Sequence, residues 1–272
     1  MMPNDKIIYA WVPGLPHLLR PDLNEGYGKL AQACRDLGDE FKRQGVSRIL
    51  FYSTQWLSVL GQSVQARPRV SGLHVDENWY DIAALKFDFE IDSALVENLI
   101  TRSRQAGFQV RAVDYEGFPI DTGTIVANTL LNSSGLRTAM YSCCVYSDYV
   151  ETVKIGELAA DAAMKLDGKT AIVAVSGLSG RYFTEVIDYK NDAIRDRQDD
   201  QWNQKLLKSM NDGLWHDVAS MRDEYVRSTK ADMALKALAF LEGAGACRSG
   251  RRLMTKAYGA IYGTGAAVMV GV

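Results

Sequence analysis

Segments patterned as strands alternate with segments patterned as helices along most of this chain, and that alternation limits the fold more than any other feature. Residues 7–12 form a short apolar run with strand character. Residues 24–44 carry Tyr27, Leu30, Cys34, Leu37 and Phe41 on one helical stripe, with Gly45 as the stop. A second buried strand is read over 48–53, a helix over 93–105 closed by Gly107, and strands over 109–113 and 138–145. Ser147 or Asp148 then caps a helix whose inner face carries Ile155, Leu158, Ala159, Ala162 and Leu166, and 171–176 follows as a strand. The order implies an α/β fold: a single domain over 1–272, with a mostly parallel central sheet flanked by helices. Residues 199–227 and 232–241 read as helical, and 256–270, with Gly259, Gly263 and Gly265, as terminal strands at a close-packed or ligand-facing edge.

Composition closes off several functional classes. The 272 residues carry a formal charge of −2, which gives no electrostatic reason for a nucleic-acid or anionic-membrane partner. No run of 18 apolar residues occurs, and residues 1–6 lack the regions of a signal peptide. Cys34, Cys143, Cys144 and Cys247 include no CxxC pair, so reduced, mostly buried thiols in a cytoplasmic protein are expected rather than structural zinc. Only three histidines are present: His17, His74 and His216. Any mechanism that needs several imidazoles must draw on most of them.

Chemistry in open α/β sheets collects at the loops after the strands. Four such loops stand out, at 13–18, 53–56, 116–124 and 176–181. Their words are Pro16-His17, Ser53-Thr54-Gln55-Trp56, Asp121-Thr122-Gly123-Thr124 and Ser176-Gly177-Leu178-Ser179-Gly180.

In order and rough spacing, over about two thirds of the chain, these words resemble the class III extradiol dioxygenases. The resemblance implies that family's fold and an Fe(II) site of two histidines and a glutamate, with positions left open for substrate and O2. Five positions of this sequence correspond. The first ligand position is His17. The second is Gln55, a poor ligand beside imidazole. The mid-chain histidine position is Thr122, and the late acid–base histidine position is Gly180. The glutamate is expected near Asp232, in Lys230-Ala231-Asp232-Met233, where no glutamate stands. The phrases Tyr52-Ser53-Thr54-Gln55-Trp56, Tyr115 to Thr124 and Tyr146-Ser147-Asp148, and the Gly263-Thr264-Gly265-Ala266-Ala267 ending, are similar to the α-subunit family of 2-aminophenol 1,6-dioxygenase. That family implies a chain without catalytic residues, cofactor or metal of its own. It pairs with a catalytic β-type subunit that holds the Fe(II) and binds the aromatic substrate, as an α2β2 assembly.

The alternative is a stand-alone metal-dependent dioxygenase or hydrolase with an altered site of His17, His74 and Asp232 or a nearby carboxylate. Against a ligand role, His17 reads as a hydrogen-bonded residue lining an empty pocket. His74, beside Asp76 and Glu77, reads as a loop or interface residue, and His216 as surface. Residues 230–236 read as the start of a solvated helix, Gly177 and Gly180 as parts of a tight turn, and Trp56, Trp79 and Trp202 as packing or interface aromatics.

Overall fold

The apolar strand at the start, β1 (Ile7–Val12), lies near the middle of an eight-stranded sheet. The computed structural model describes residues 6–272; the polar opening segment weighed against a signal peptide lies, but for Lys6, outside them. The remaining strands are β2 (Val46–Ser58), β3 (Gln62–Gln65), β6 (Val110–Val113), β7 (Arg137–Cys144), β8 (Lys169–Val175), β9 (Leu253–Ile261) and β10 (Thr264–Gly271). Their order across the sheet is β6-β3-β7-β2-β8-β1-β10-β9. The four central strands, β7, β2, β8 and β1, are mutually parallel, while β10 and β9 add antiparallel strands at one edge. A separate hairpin pairs β4 (Arg69–Val75) with β5 (Ala84–Glu90).

The helices form where the apolar stripe and the cap agree. Asn24 accepts from the Gly26 N–H and opens α1 (Glu25–Arg43), which buries Tyr27, Leu30, Cys34, Leu37 and Phe41. Asp92 caps α2 (Ser93–Gln105) and also holds the buried Arg48 guanidinium at 2.8 Å, tying that helix start to β2. Asp148 and Glu151 form a reciprocal capping box at the start of α4 (Tyr149–Met164). The helical stretch after residue 196 divides at Gly213, whose φ is +70°, into α5 (Arg197–Asp212) and α6 (Trp215–Thr229). The chain moves from β1 to β2 in one direction and from β7 to β8 in the other. Right-handed crossovers therefore place α1 and α4 on opposite faces. α3 (Thr122–Leu131) packs beside α1, and α7 (Lys236–Ala244) beside α4.

Three features differ from the sequence reading. β2 runs on through 54–58 rather than ending at Ser53, with its register to β7 broken between Ser53 and Leu57. The mid-chain turn is already helix, since Thr122 is the first residue of α3. Residues 230–236 are not the start of a solvated helix. Asp232–Leu235 is a 3-10 turn in which Met233, Ala234 and Leu235 have φ of 42°, 54° and 61°, and Leu235 and Lys236 are buried.

The α4–α7 contact depends on two glycines. A Cβ at Gly156 would collide with the Phe240 carbonyl, and one at Gly243 with the Val153 carbonyl. Both obstacles are backbone and cannot rotate away. Gly156→Ala is therefore expected to destabilise the chain by about 1–3 kcal/mol, despite the better helix propensity of alanine. The midpoint of urea unfolding measures this; an unchanged or raised midpoint would contradict the packing described.

Candidate functional site

The four loops singled out in the sequence meet at the carboxyl ends of β1, β2 and β8, and Asp232 joins two of them. Its Oδ2 accepts from the Thr54 hydroxyl at 2.8 Å, the Ser176 hydroxyl at 2.8 Å and the Gly177 N–H at 2.9 Å. Its own N–H donates to the Leu178 carbonyl at 3.0 Å. Thr54 can reach because the break in β2 register releases residues 54–56 from the ladder to β7. The same turn closes on Gly180, where a Cβ would lie 2.6 Å from the Lys230 carbonyl oxygen and 3.3 Å from the Asp232 Cα. Gly177 and Gly180 lie in the turn expected of them, but neither has a positive φ, so backbone conformation is not the reason for glycine. At position 180 the reason is close approach: no side chain fits, and a histidine there would have to displace the Lys230 backbone.

A second network lies at the start of α3. Asp121 caps the helix through the Thr124 N–H at 2.9 Å and accepts from the Ser53 hydroxyl at 2.6 Å, while its second carboxylate oxygen is buried without a partner. Burial pushes the Asp121 carboxyl above the usual carboxylate range, opposed by the hydrogen bonds from Ser53 and Thr124. A Cβ on Gly123 would lie 3.0 Å from the Gln55 amide carbon, which places Gln55 against this same turn. Thr122 is bonded on two sides. Its hydroxyl lies 2.9 Å from His74 Nε2 and donates to Asp76 Oδ2. His74 is thus a strand residue of β4 that reaches the position where the family pattern places a histidine; of the loop or interface roles read from the sequence, its place on a strand rules out the loop. The signal was available in the period-two run Lys86-Phe87-Asp88-Phe89-Glu90, which marks β5 and hence its partner strand.

His17 makes no hydrogen bond to either network, although Asp76 of the second is near enough to act on its charge. It lies in the 3-10 turn Pro16–Leu19, its residue surface is 0% exposed, and neither ring nitrogen has a hydrogen-bond partner. The sequence reading had it hydrogen-bonded beside an empty pocket. Instead it is surrounded by the rings of Tyr27, Trp79, Tyr189 and Tyr262, with centroids 5.4, 4.7, 5.2 and 5.8 Å away. Burial lowers its pKa from 6.5 to about 4, with Asp81 and Asp76 opposing the shift. Orphaned buried polar groups cost roughly 1–3 kcal/mol, so this imidazole is not placed for stability. His216 is exposed on α6, as read, and Trp56 and Trp202 pack against Phe118 and Tyr225.

These residues do not fit Fe(II). The oxygen of Asp232 that faces the loops is saturated by three protein donors, Gln55 and Gly180 offer no imidazole, and His17 is enclosed by rings. Among the described residues, no group of three or more His, Cys, Asp and Glu side chains could hold a metal ion. The ancestry of the site is nonetheless plain. The profile of a family described as the catalytic LigB subunit of aromatic ring-opening dioxygenase matches residues 8–270. The chain belongs to this LigB family. It is 35% identical over 264 residues to a 2-aminophenol 1,6-dioxygenase alpha subunit from Pseudomonas sp, covering 95% of this chain and 96% of that one. It is 20% identical over 219 residues to a 3,4-dihydroxyphenylacetate 2,3-dioxygenase from Escherichia coli, covering 79% and 76%. The crystal structure of an uncharacterized protein from Escherichia coli K12 shares the fold with a TM-score of 0.69 at 14% identity, covering 97% of this chain and 99% of that one. A LigB-family fold thus carries, at the ends of its strands, hydrogen-bonded side chains in place of a convergent ligand set.

Two outcomes follow from this geometry. Asp232→Ala would leave the Gly177 N–H without its acceptor and the Thr54 and Ser176 hydroxyls with only the Val175 and Gly177 carbonyls they also reach, and should cost about 1–3 kcal/mol in urea unfolding; Asp232→Asn should cost less. The low pKa of His17 makes the unfolded chain bind the extra proton first. Stability is then whole above about pH 6.5 and is lost as pH falls toward about 4. The slope from this group is at most about 1.4 kcal/mol per pH unit. His17→Phe should remove that part of the acid limb, and identical pH profiles for the two chains would show that His17 is not buried neutral.

Proposed function

We propose that this LigB-family chain is the non-catalytic α-type subunit of an Fe(II)-dependent extradiol dioxygenase acting on 2-aminophenol-like rings. The iron and the aromatic substrate would be held by a catalytic β-type partner, in an α2β2 assembly in the cytoplasm. The observation that carries this reading is the bonding of Asp232 Oδ2 to three protein donors. Where the family resemblance looks for a metal-binding carboxylate, this chain spends its carboxylate oxygen on Thr54, Ser176 and Gly177. The relative that is 35% identical over nearly the whole chain is named as an alpha subunit, which supports a partner. The stand-alone alternative would need His17, His74 and Asp232 or a nearby carboxylate around one ion. His74 is instead bonded to Thr122, Asp232 is bonded to Thr54 and Ser176, and His17 is boxed.

A partner chain also accounts for exposed apolar surface. Leu57, Val59, Leu60, Val145 and Tyr146 are exposed at the ends of β2 and β7, with Val150 exposed at the start of α4, and the Val145 N–H bonds the Ser58 carbonyl, so the two strand ends are neighbours. Surface of this kind marks contact sites more often than solvent-facing skin. No helix of the described residues is long and apolar enough to cross a membrane.

The test is co-expression with a LigB-family chain from the same source that carries the full histidine and glutamate set. Size-exclusion with light scattering should show a hetero-oligomer, with iron analysis placing the metal in the partner. The interface should exceed roughly 2,000 Å² in total, as obligate pairs do. This chain alone should bind no stoichiometric iron and open no ring. One Fe(II) per chain with turnover of 2-aminophenol would overturn the reading. Gln55→His alone should stay inactive, since acid–base help worth about 10²–10⁴-fold is still missing and position 180 cannot accept a histidine.

A further inference from the structure

A cavity of about 600 Å³ opens between the end of β7, the start of α4, α6 and the 3-10 turn Asp232–Leu235, and none of the five site positions lines it. Its size is that of a small-molecule site. Val145, Tyr149, Val226, Met233 and Ala234 give it an apolar wall. Met233 and Ala234 stand there in the left-handed region, with φ of 42° and 54°. Residues other than glycine keep that conformation only where the surroundings hold it, and it recurs where ligands are clamped.

The charged residues of the lining are unevenly answered. Of the acids, Asp223 accepts from Arg222 Nε at 3.0 Å, and Asp148 caps α4 through the Glu151 N–H at 2.8 Å, against the positive end of the helix. Arg222 also lies over the Tyr149 ring, 4.1 Å from its centroid. The two other cations have no carboxylate. Arg227 is exposed, and its guanidinium makes no hydrogen bond or ion pair among the described residues. Lys236 is 6% exposed, and its ammonium donates to the Cys144 and Val145 carbonyls, both at 2.7 Å. An ammonium has three N–H groups, so one is left without a protein acceptor. A buried cation met only by carbonyl dipoles gains from an anion. We propose that this cavity binds a small organic carboxylate with an apolar body. The carboxylate would accept from Lys236 and Arg227, and the body would lie against Val226 and Met233. An inorganic anion would answer the cations and not the wall, a neutral ring the wall and not the cations. The site goes beyond the subunit reading and does not depend on it, since every group named belongs to this chain.

Benzoate is a suitable probe, because a rigid carboxylate loses little internal freedom on binding. The full chain would be titrated at pH 7 and followed by calorimetry and by NMR of ¹³C-methyl methionine, with the Met233 signal assigned from Met233→Leu. Benzoate should occupy one site per chain and shift the Met233 methyl through its ring current. Arg227→Gln, a change at an exposed position of α6, should weaken binding about tenfold or more, as loss of one charge-assisted hydrogen bond does. Lys236→Met keeps the apolar stem, removes the ammonium and should weaken binding at least as much. Acetate, phosphate and benzyl alcohol should each bind about tenfold or more weakly than benzoate, since each lacks one half of the match. Absence of saturable benzoate binding at millimolar concentration would overturn the proposal, as would binding that leaves the Met233 methyl unshifted. Benzyl alcohol or phosphate bound as tightly as benzoate, or an unchanged affinity in Arg227→Gln, would overturn it equally. Should Lys236→Met not fold, Arg227→Gln and the Met233 signal of the unmodified chain decide.

Discussion

One carboxylate organises the end of this molecule where chemistry would be expected. Asp232 takes hydrogen bonds from β2, through Thr54, and from the end of β8, through Ser176 and Gly177. It thereby fastens the helical C-terminal third to the parallel core. The segment it fastens is strained: Lys230, Met233, Ala234 and Leu235 all lie in the left-handed region, which costs non-glycine residues about 1–3 kcal/mol each. Such a backbone persists only where its surroundings over-determine it. Asp232 supplies one restraint. The buried Lys236 ammonium, donating to the carbonyls of Cys144 and Val145 at 2.7 Å, supplies another.

The remaining site positions are consistent with that arrangement. With Asp232 Oδ2 serving as an internal acceptor, the surrounding positions serve packing and hydrogen bonding. Gly180 lets the turn close on the Lys230 carbonyl. Thr122 joins α3 to the β4–β5 hairpin through His74 and Asp76. Gln55 lies against Gly123. Each is a small, hydrogen-bonding or close-packing choice at a point where strand ends, a helix start and a hairpin meet.

The strand–helix alternation was legible because it is written in local periods. The stripe on α1, the caps at Asn24 and Asp148 and the apolar runs of β1 and β8 all correspond to observed elements. What escaped was what local pattern does not carry. β3 reads Gln-Ser-Val-Gln and has no apolar run. α3 opens on Thr-Gly-Thr, which resembles a turn until Asp121 is recognised as its cap. The stretch at 230–236 has ordinary helix-forming residues, yet tertiary ties hold it in the left-handed region against that preference.

The sequence by itself determined the class of fold, the family, and the absence of histidine at positions 55, 122 and 180, since residue identity and local periodicity need no third dimension. The tertiary structure alone decided what the surviving groups do. Whether Asp232 was free or bonded, whether His74 lay on a loop or reached Thr122, and whether His17 faced a pocket or a wall of rings depended on contacts between residues far apart in the chain. Thr54 and Asp232 are 178 residues apart and His17 and Tyr189 come from different elements, so no window of sequence contains both partners.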